Sequence, residues 1–173
     1  MNTTPNSNRI TITLYGKRNA GKSSLLNSIT GQEVSIVSEV KGTTTDPVKK
    51  AMELIPVGPV LFIDTAGIDD EGTLGSLRIK RSLEVGRRTN FAIYVMDITD
   101  LDKDAFNDMK KHFMKYNIPY ILVINKIDKV SSDYIEEIKN TYKDAIFVSS
   151  LMGTNIDLLK EELINRIKVL IED

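Results

Sequence analysis

The chain has 173 residues, which suits one domain. Its 23 basic and 24 acidic residues nearly cancel, so no strong field draws it to nucleic acid or to an anionic membrane. It has no cysteine, which excludes disulfides and cysteine-ligated zinc or iron–sulfur sites within these residues.

No apolar run approaches the roughly 20 residues that span a bilayer. Residues 1–8 are polar and lack the apolar core of a signal peptide. They read as a disordered tail before a single domain over 9–173, in the cytoplasm.

Residues 10–16, ITITLYG, are rich in β-branched side chains and read as a buried strand. Residues 22–30 place Leu25, Leu26 and Ile29 on one helical face. The polar stretch 32–48, with Gly42 and Pro47, reads as a loop. Residues 49–55 and 60–64 flank the turn signal PVGP and read as a hairpin. A helix follows over 74–89, then a strand over 91–97. The spacing next predicts a helix over 102–116, a strand over 119–125, a helix over 132–142, a strand over 144–150 and a helix over 155–171.

Strands that alternate with helices imply βαβ units. The expected fold is an α/β, doubly wound, mostly parallel six-stranded sheet with one antiparallel strand and helices on both faces. Ligands of such sheets bind beyond the carboxyl ends of the strands. The motifs below all fall there.

Gly16-Lys17-Arg18-Asn19-Ala20-Gly21-Lys22-Ser23 fits the phosphate-loop pattern between a strand and a helix. Its glycines let successive N–H groups turn inward around phosphate oxygens, at the N-terminus of the helix. Ala20, Gly21, Lys22, Ser23 and Ser24 are the candidate phosphate-side residues. Lys22 reaches the outer phosphates, and the Ser23 hydroxyl binds Mg²⁺. Asp64 ends an apolar strand, where an acid holds Mg²⁺ through a water. Gly67, in the DTAG stretch, can offer its N–H to the terminal phosphate. GTTTD (42–46) supplies a threonine to complete the Mg²⁺ shell, Thr44 first and Thr43 as competitor.

NKID (125–128) follows a strand. The Asp128 carboxylate can accept from the N1–H and N2 amine of guanine, and a buried Asp128 would be left unpaired by adenine. Asn125 can bond the base at N7 or tie the loops together. Lys126 can lay its stem over the base. Ser149, Ser150 and Leu151 lie in SSLMG, whose backbone N–H groups can meet the guanine O6.

These five motifs, in this order and spacing, resemble the translation-factor-related GTPases, in the branch with the tRNA-modification and ribosome-assembly GTPases. The resemblance covers the chain from Ile10 to the last helix. It departs at Ser150, where the family often has alanine. More finely, residues 42–72 resemble the GTPase domain of the (FeFe)-hydrogenase maturation proteins, the HydF type. TTTDPV, AMEL, GPV and DTAG followed by an apolar residue and DD-EG carry that likeness. It implies an isolated GTP-hydrolysing domain, a switch in iron–sulfur and H-cluster assembly. Hydrogenase and its maturation enzymes would be reached through further domains.

Ile68 occupies the place where many GTPases put a water-orienting glutamine, and it has no polar atom. Relatives with asparagine at the Asn19 position use a potassium ion between the β- and γ-phosphates, in several cases across a pair of facing GTPase domains. The resemblance therefore implies potassium at Asn19, a homodimer across the switch loops and slow intrinsic hydrolysis. The catalytic set is Asn19, Lys22, Thr44 and Gly67. In the tRNA-modification relatives a glutamate further along the switch acts through a second water, and its register falls near Ser76, which is no acid. Asp69, Asp70 and Glu71 stay open as water-orienting groups.

Two alternatives stand beside this reading: a ribosome- or tRNA-directed GTPase, and a nucleotide-loaded binding module with negligible hydrolysis. The basic pairs Lys49–Lys50 and Arg87–Arg88 read as solvated faces, His112 as a surface residue and the methionines as core filling.

Overall fold

The computed structural model describes residues 9–31, 35–38, 48–65 and 89–172. In chain order the elements are β1 (Ile10–Tyr15), α1 (Lys22–Thr30), β2 (Ser35–Ser38), β3 (Val48–Leu54), β4 (Gly58–Asp64), β5 (Phe91–Asp97), α2 (Lys103–Lys115), β6 (Tyr120–Asn125), α3 (Ser132–Thr141), β7 (Ile146–Phe147) and α4 (Ile156–Glu172). The strands form one sheet in the order β2-β3-β4-β1-β5-β6-β7. β1 pairs in parallel with β4 and β5, and β5, β6 and β7 continue in parallel. β3 runs against both β2 and β4, so a single strand opposes the rest.

The doubly wound, mostly parallel fold is the one the alternation of strands and helices implied. The sheet has seven strands rather than six. The addition is β2, inside the stretch read as loop; it joins the edge through pairing with β3, which no local pattern announces. β7 is shorter than the seven residues expected. The chain leaves the ladder after Phe147, and Ser149 pairs instead with Thr154 across a tight turn, through two backbone hydrogen bonds. The expected helix over 74–89 lies almost wholly outside the described residues.

The layers follow from alternation. Along β5, Phe91, Ile93 and Val95 face one core, and Ala92, Tyr94 and Met96 face the other. A strand covered on both sides needs apolar residues at every position, and β5 is buried throughout. The first core takes Leu25, Leu26 and Ile29 of α1 with Leu159, Leu163 and Ile167 of α4, all buried. That i, i+4 stripe on α4 is what seats it, at roughly 1.5–3 kcal/mol for each side chain fully buried. The second core takes Phe106 and Phe113 of α2 and Ile138 of α3.

His112 is half-buried rather than a free surface residue, with its ring centroid 4.8 Å from that of Tyr116. Among the methionines, Met96 is core, but Met114 and Met152 are exposed. Lys49 and Lys50 are half-buried on β3, and Lys50 bonds the Asn27 side chain. None of the described helices is long and apolar enough to cross a membrane.

Candidate nucleotide site

The order of strands turns about β1, whose neighbours β4 and β5 both follow it in sequence. The carboxyl ends of β1, β4, β5 and β6 therefore gather Gly16, Asp64, Asp97 and Asn125 along one edge. This is the edge where doubly wound sheets bind ligands.

The loop after β1 lies close on the sheet. Gly16 has φ +135°, and a Cβ there would overlap the carbonyl of Val95 in β5. Gly21 has φ +90°, and a Cβ there would stand 2.7 Å from the Asn125 amide nitrogen. Both positions demand glycine, for conformation and for space. α1 begins directly at Lys22, and no side chain caps it. Its first N–H groups thus form the kind of end that takes an anion.

Lys22 is 1% exposed, and its ammonium donates to the carbonyls of Gly16 and Lys17, so its charge sits inside the loop. A buried cation within a glycine-bent loop fits a phosphate group. Ser23 Oγ donates to Asp64 Oδ2 at 2.7 Å, and Asp64 is buried at the end of β4. Hydroxyl and carboxylate together are hard oxygen donors, the set Mg²⁺ prefers. Residues 41 apart in sequence are therefore brought together as the motifs implied.

At the base end, Asn125 is fully buried. Its Nδ2 donates to the Ala20 carbonyl and to Ser150 Oγ, both at 3.1 Å. Its Oδ1 accepts from the N–H of Lys126 at 2.8 Å and of Ser150 at 3.0 Å. Of the two roles open to Asn125, this is the tie between loops. Ser150 is bound on every side: its Oγ also meets Ser24 Oγ at 3.0 Å, and its carbonyl accepts from Ser28 Oγ at 2.8 Å. The Ser150 N–H is committed to Asn125, and the Met152 N–H to Ser149 Oγ at 3.0 Å.

Asp128 is exposed, not buried, and one oxygen accepts from Ser149 Oγ at 2.7 Å. Lys126 adopts φ +70°, and its ammonium donates to the Asn19 carbonyl at 2.6 Å. It also pairs with Asp97 Oδ2 at 3.1 Å. Asn19 is exposed, and no described residue bonds its side-chain amide. Thr43, Thr44, Gly67, Ile68, Asp69, Asp70, Glu71 and Ser76 lie outside the described residues.

Two contributors escape sequence reasoning. Asp97 lies outside every nucleotide motif and is joined to one through space. The Ser150 hydroxyl counts as well as its backbone, and its polarity, where relatives often have alanine, was the available signal.

The profile of the family described as 50S ribosome-binding GTPases matches residues 11–126, which span the loop, Asp64 and Asn125. The chain belongs to this GTPase family. It is a GTP-binding domain of the translation-factor-related kind. It is 35% identical over 166 residues to GTPase Der of Wolinella succinogenes, and the match covers 90% of this chain and 35% of that protein. It is 33% identical over 165 residues to the tRNA modification GTPase MnmE of Francisella tularensis subsp. novicida, covering 91% of this chain and 35% of that one. The chain thus spans about a third of these curated relatives. A variant of Aquifex aeolicus Era bound to GDP·AlF4⁻ superposes with TM-score 0.69 at 28% identity, covering 90% of this chain and 56% of that chain.

Proposed function

We propose that the chain hydrolyses GTP slowly, with Mg²⁺ and potassium, and acts as a nucleotide-driven switch. The observation that carries this reading is the joining of the phosphate loop to the base loop. Asn125 bonds Ala20, and Lys126 bonds Asn19, on the edge where Ser23 meets Asp64.

In this reading Lys22 and the loop N–H groups hold the phosphates, and Ser23 and Asp64 hold Mg²⁺, joined by Thr44. Gly67 offers its N–H to the terminal phosphate. Asn19, exposed and with its side-chain amide bonded by no described residue, would hold a potassium ion. When bound, the two cations supply positive charge to the phosphate oxygens, which is most of what phosphoryl transfer requires. Asp128 selects guanine, with Lys126 along the base and the N–H of Leu151 toward O6. Two copies facing each other across their switch loops would complete the potassium site.

GTP turnover compared in potassium and in sodium is the test. Faster turnover in potassium, lost in Asn19→Ala, is expected; equal rates in the two salts overturn the ion assignment. Turnover at the background rate in both salts would favour a binding module that uses GTP only to set its shape.

The finer role, in the cytoplasm, is in metal-cluster assembly of (FeFe)-hydrogenase, with the hydrogenase and its maturation enzymes as partners. It rests on the likeness of residues 42–72 to the HydF type. Exchanging this domain for the G domain of that maturation protein should preserve hydrogenase activation; its loss overturns the role. A ribosome- or RNA-directed role is the second reading, favoured by the family's description and by the tRNA-modification relative. RNA binding at physiological salt would support it.

A further inference from the structure

Asp97 is the last residue of β5 and lies opposite Asn125, the last residue of β6, in the parallel ladder. It belongs to none of the nucleotide motifs. Its side chain is 6% exposed, against 25% for that of its partner Lys126. Oδ1 accepts from the Thr99 backbone N–H at 2.8 Å and from the Thr99 hydroxyl at 2.7 Å. Those two bonds fix the plane of the carboxylate. Oδ2 is left facing the Lys126 ammonium at 3.1 Å.

The same ammonium donates to the Asn19 carbonyl at 2.6 Å. A lysine held this way loses much of its rotamer freedom, and one neutral carbonyl offsets little of that loss. A fixed carboxylate on the other side offsets far more, because this charge pair is largely shielded from water. Burial pushes the Asp97 carboxyl up, but the Thr99 bonds and then Lys126 bring it below the usual carboxylate range. The Asp97 carboxyl is therefore ionised at neutral pH. The neighbouring Asp100 adds a looser contact to the same loop, 3.4 Å from Lys17, between half-exposed side chains.

We propose that Asp97 is a positioning residue of the nucleotide site, holding Lys126 across the rim onto the Asn19 carbonyl and so fixing the backbone from which Asn19 projects. The proposal rests on the reading of Asn19 and Lys126 given above. Asp97 touches neither nucleotide nor ion; it acts through Lys126. The base loop and the potassium-directed asparagine are thereby set by one carboxylate.

The test compares the wild-type chain with Asp97→Asn, Asp97→Glu and Thr99→Val. Release of a fluorescent GDP and the potassium concentration for half-maximal GTP turnover are measured. Asp97→Asn keeps the size and the Thr99 bonds but removes the charge. It should speed GDP release about tenfold and raise the half-activating potassium by a similar factor. Turnover at saturating potassium and GTP should change far less, a split that a general loss of structure would not produce. Asp97→Glu should recover part of both effects. Thr99→Val keeps the charge and loosens its aim, so smaller shifts in the same direction are expected.

A folded Asp97→Asn chain with GDP release within twofold of wild type overturns the proposal. So does an unchanged Thr99→Val chain, should Asp97→Asn fail to fold. GDP release needs no potassium, so that arm decides the role of Asp97 even if turnover proves indifferent to the salt.

Discussion

Asn125→Ala separates the two roles that its side chain could have played. The side chain makes four hydrogen bonds, to the Ala20 carbonyl, Ser150 Oγ and the N–H groups of Lys126 and Ser150. Each such bond contributes about 1 kcal/mol net, and a partner left buried and unpaired costs more. Lys126 and Ser150 are half-exposed, so water can meet part of their demand. The Ala20 carbonyl belongs to a buried residue and is the costliest group to abandon. The sum is a loss of about 2–4 kcal/mol in the absence of nucleotide. A domain of ordinary stability, 5–15 kcal/mol, stays folded after that loss. Urea unfolding of the nucleotide-free protein, followed by circular dichroism, measures it. The midpoint should fall with little change in slope. GDP affinity should fall as well, because the loop that cradles phosphate is no longer tied to the loop that reads the base. A nucleotide-free Asn125→Ala protein within about 0.5 kcal/mol of wild type would refute the reasoning, since the side chain would then act on the base alone.

Gly16→Ala should be among the most damaging single changes. The new Cβ overlaps the Val95 carbonyl at φ +135°, so β5 or the loop must move; a loss above about 3 kcal/mol, read by thermal melting, is expected. Ser150→Ala removes the contacts of its hydroxyl with Asn125 and Ser24 but keeps the N–H bond to Asn125. It should cost about 1 kcal/mol in the same urea assay and leave GDP affinity near wild type. Asp102 is buried beside Tyr94, whose hydroxyl donates to it. Burial raises its carboxyl above the usual range, against the lowering effect of Tyr94. An acid with a raised folded pKa binds its proton more tightly when folded, so its contribution to stability falls as pH rises through that window. Asp102→Asn escapes this cost and keeps an acceptor for Tyr94. Its melting temperature should exceed wild type at pH 7, and the gain should vanish as pH falls through the folded pKa of Asp102 toward its ordinary value.

Elements whose signal is local were legible. β5 is apolar from Phe91 to Met96, which is what burial on both faces requires, and its bounds are those expected. α1 starts where the phosphate loop ends, because Gly21 provides the left-handed turn and Lys22 the first helical residue. β2 carries no local strand signal, because a short edge strand owes its existence to a partner elsewhere in the chain. β7 is shorter than its local pattern, because Val148 continues the apolar run after Phe147 while Ser149 pairs with Thr154 across the turn, a contact that no local signal announces. In the site, residue types and spacing placed Lys22, Ser23, Asp64 and Asn125 correctly along the sheet edge. They left the partner of Asn125 open, since an amide pairs equally well with a base or with a carbonyl. Asp97 was invisible because an acid at a strand end has many uses, and only the folded distance to Lys126, 29 residues away, selects one.

The exposure of Asp128 changes where guanine selection arises. Residue types suggested a buried carboxylate waiting for a matching base. Asp128 instead stands at the rim, with Ser149 Oγ on one oxygen. A carboxylate offers about four acceptor positions, so one bond from Ser149 still leaves room for the two donors of guanine. An exposed carboxylate pays nothing for lacking a purine partner, because water satisfies it. The penalty appears only when a base covers it. Adenine would then strip its water without returning donors, at about 1–3 kcal/mol or more for a charged group. Each 1.4 kcal/mol is a factor of ten in affinity. Discrimination therefore depends on how completely the bound base covers Asp128, and in the proposed site that depends on Lys126, whose stem would lie along the base. Loosening Lys126 by removing the Asp97 charge should on this account narrow the preference for GTP over ATP as well as speed release. The ratio of the two affinities in Asp97→Asn measures that directly, and a ratio equal to wild type would mean that Ser149 and Asp128 select the base without help from Lys126.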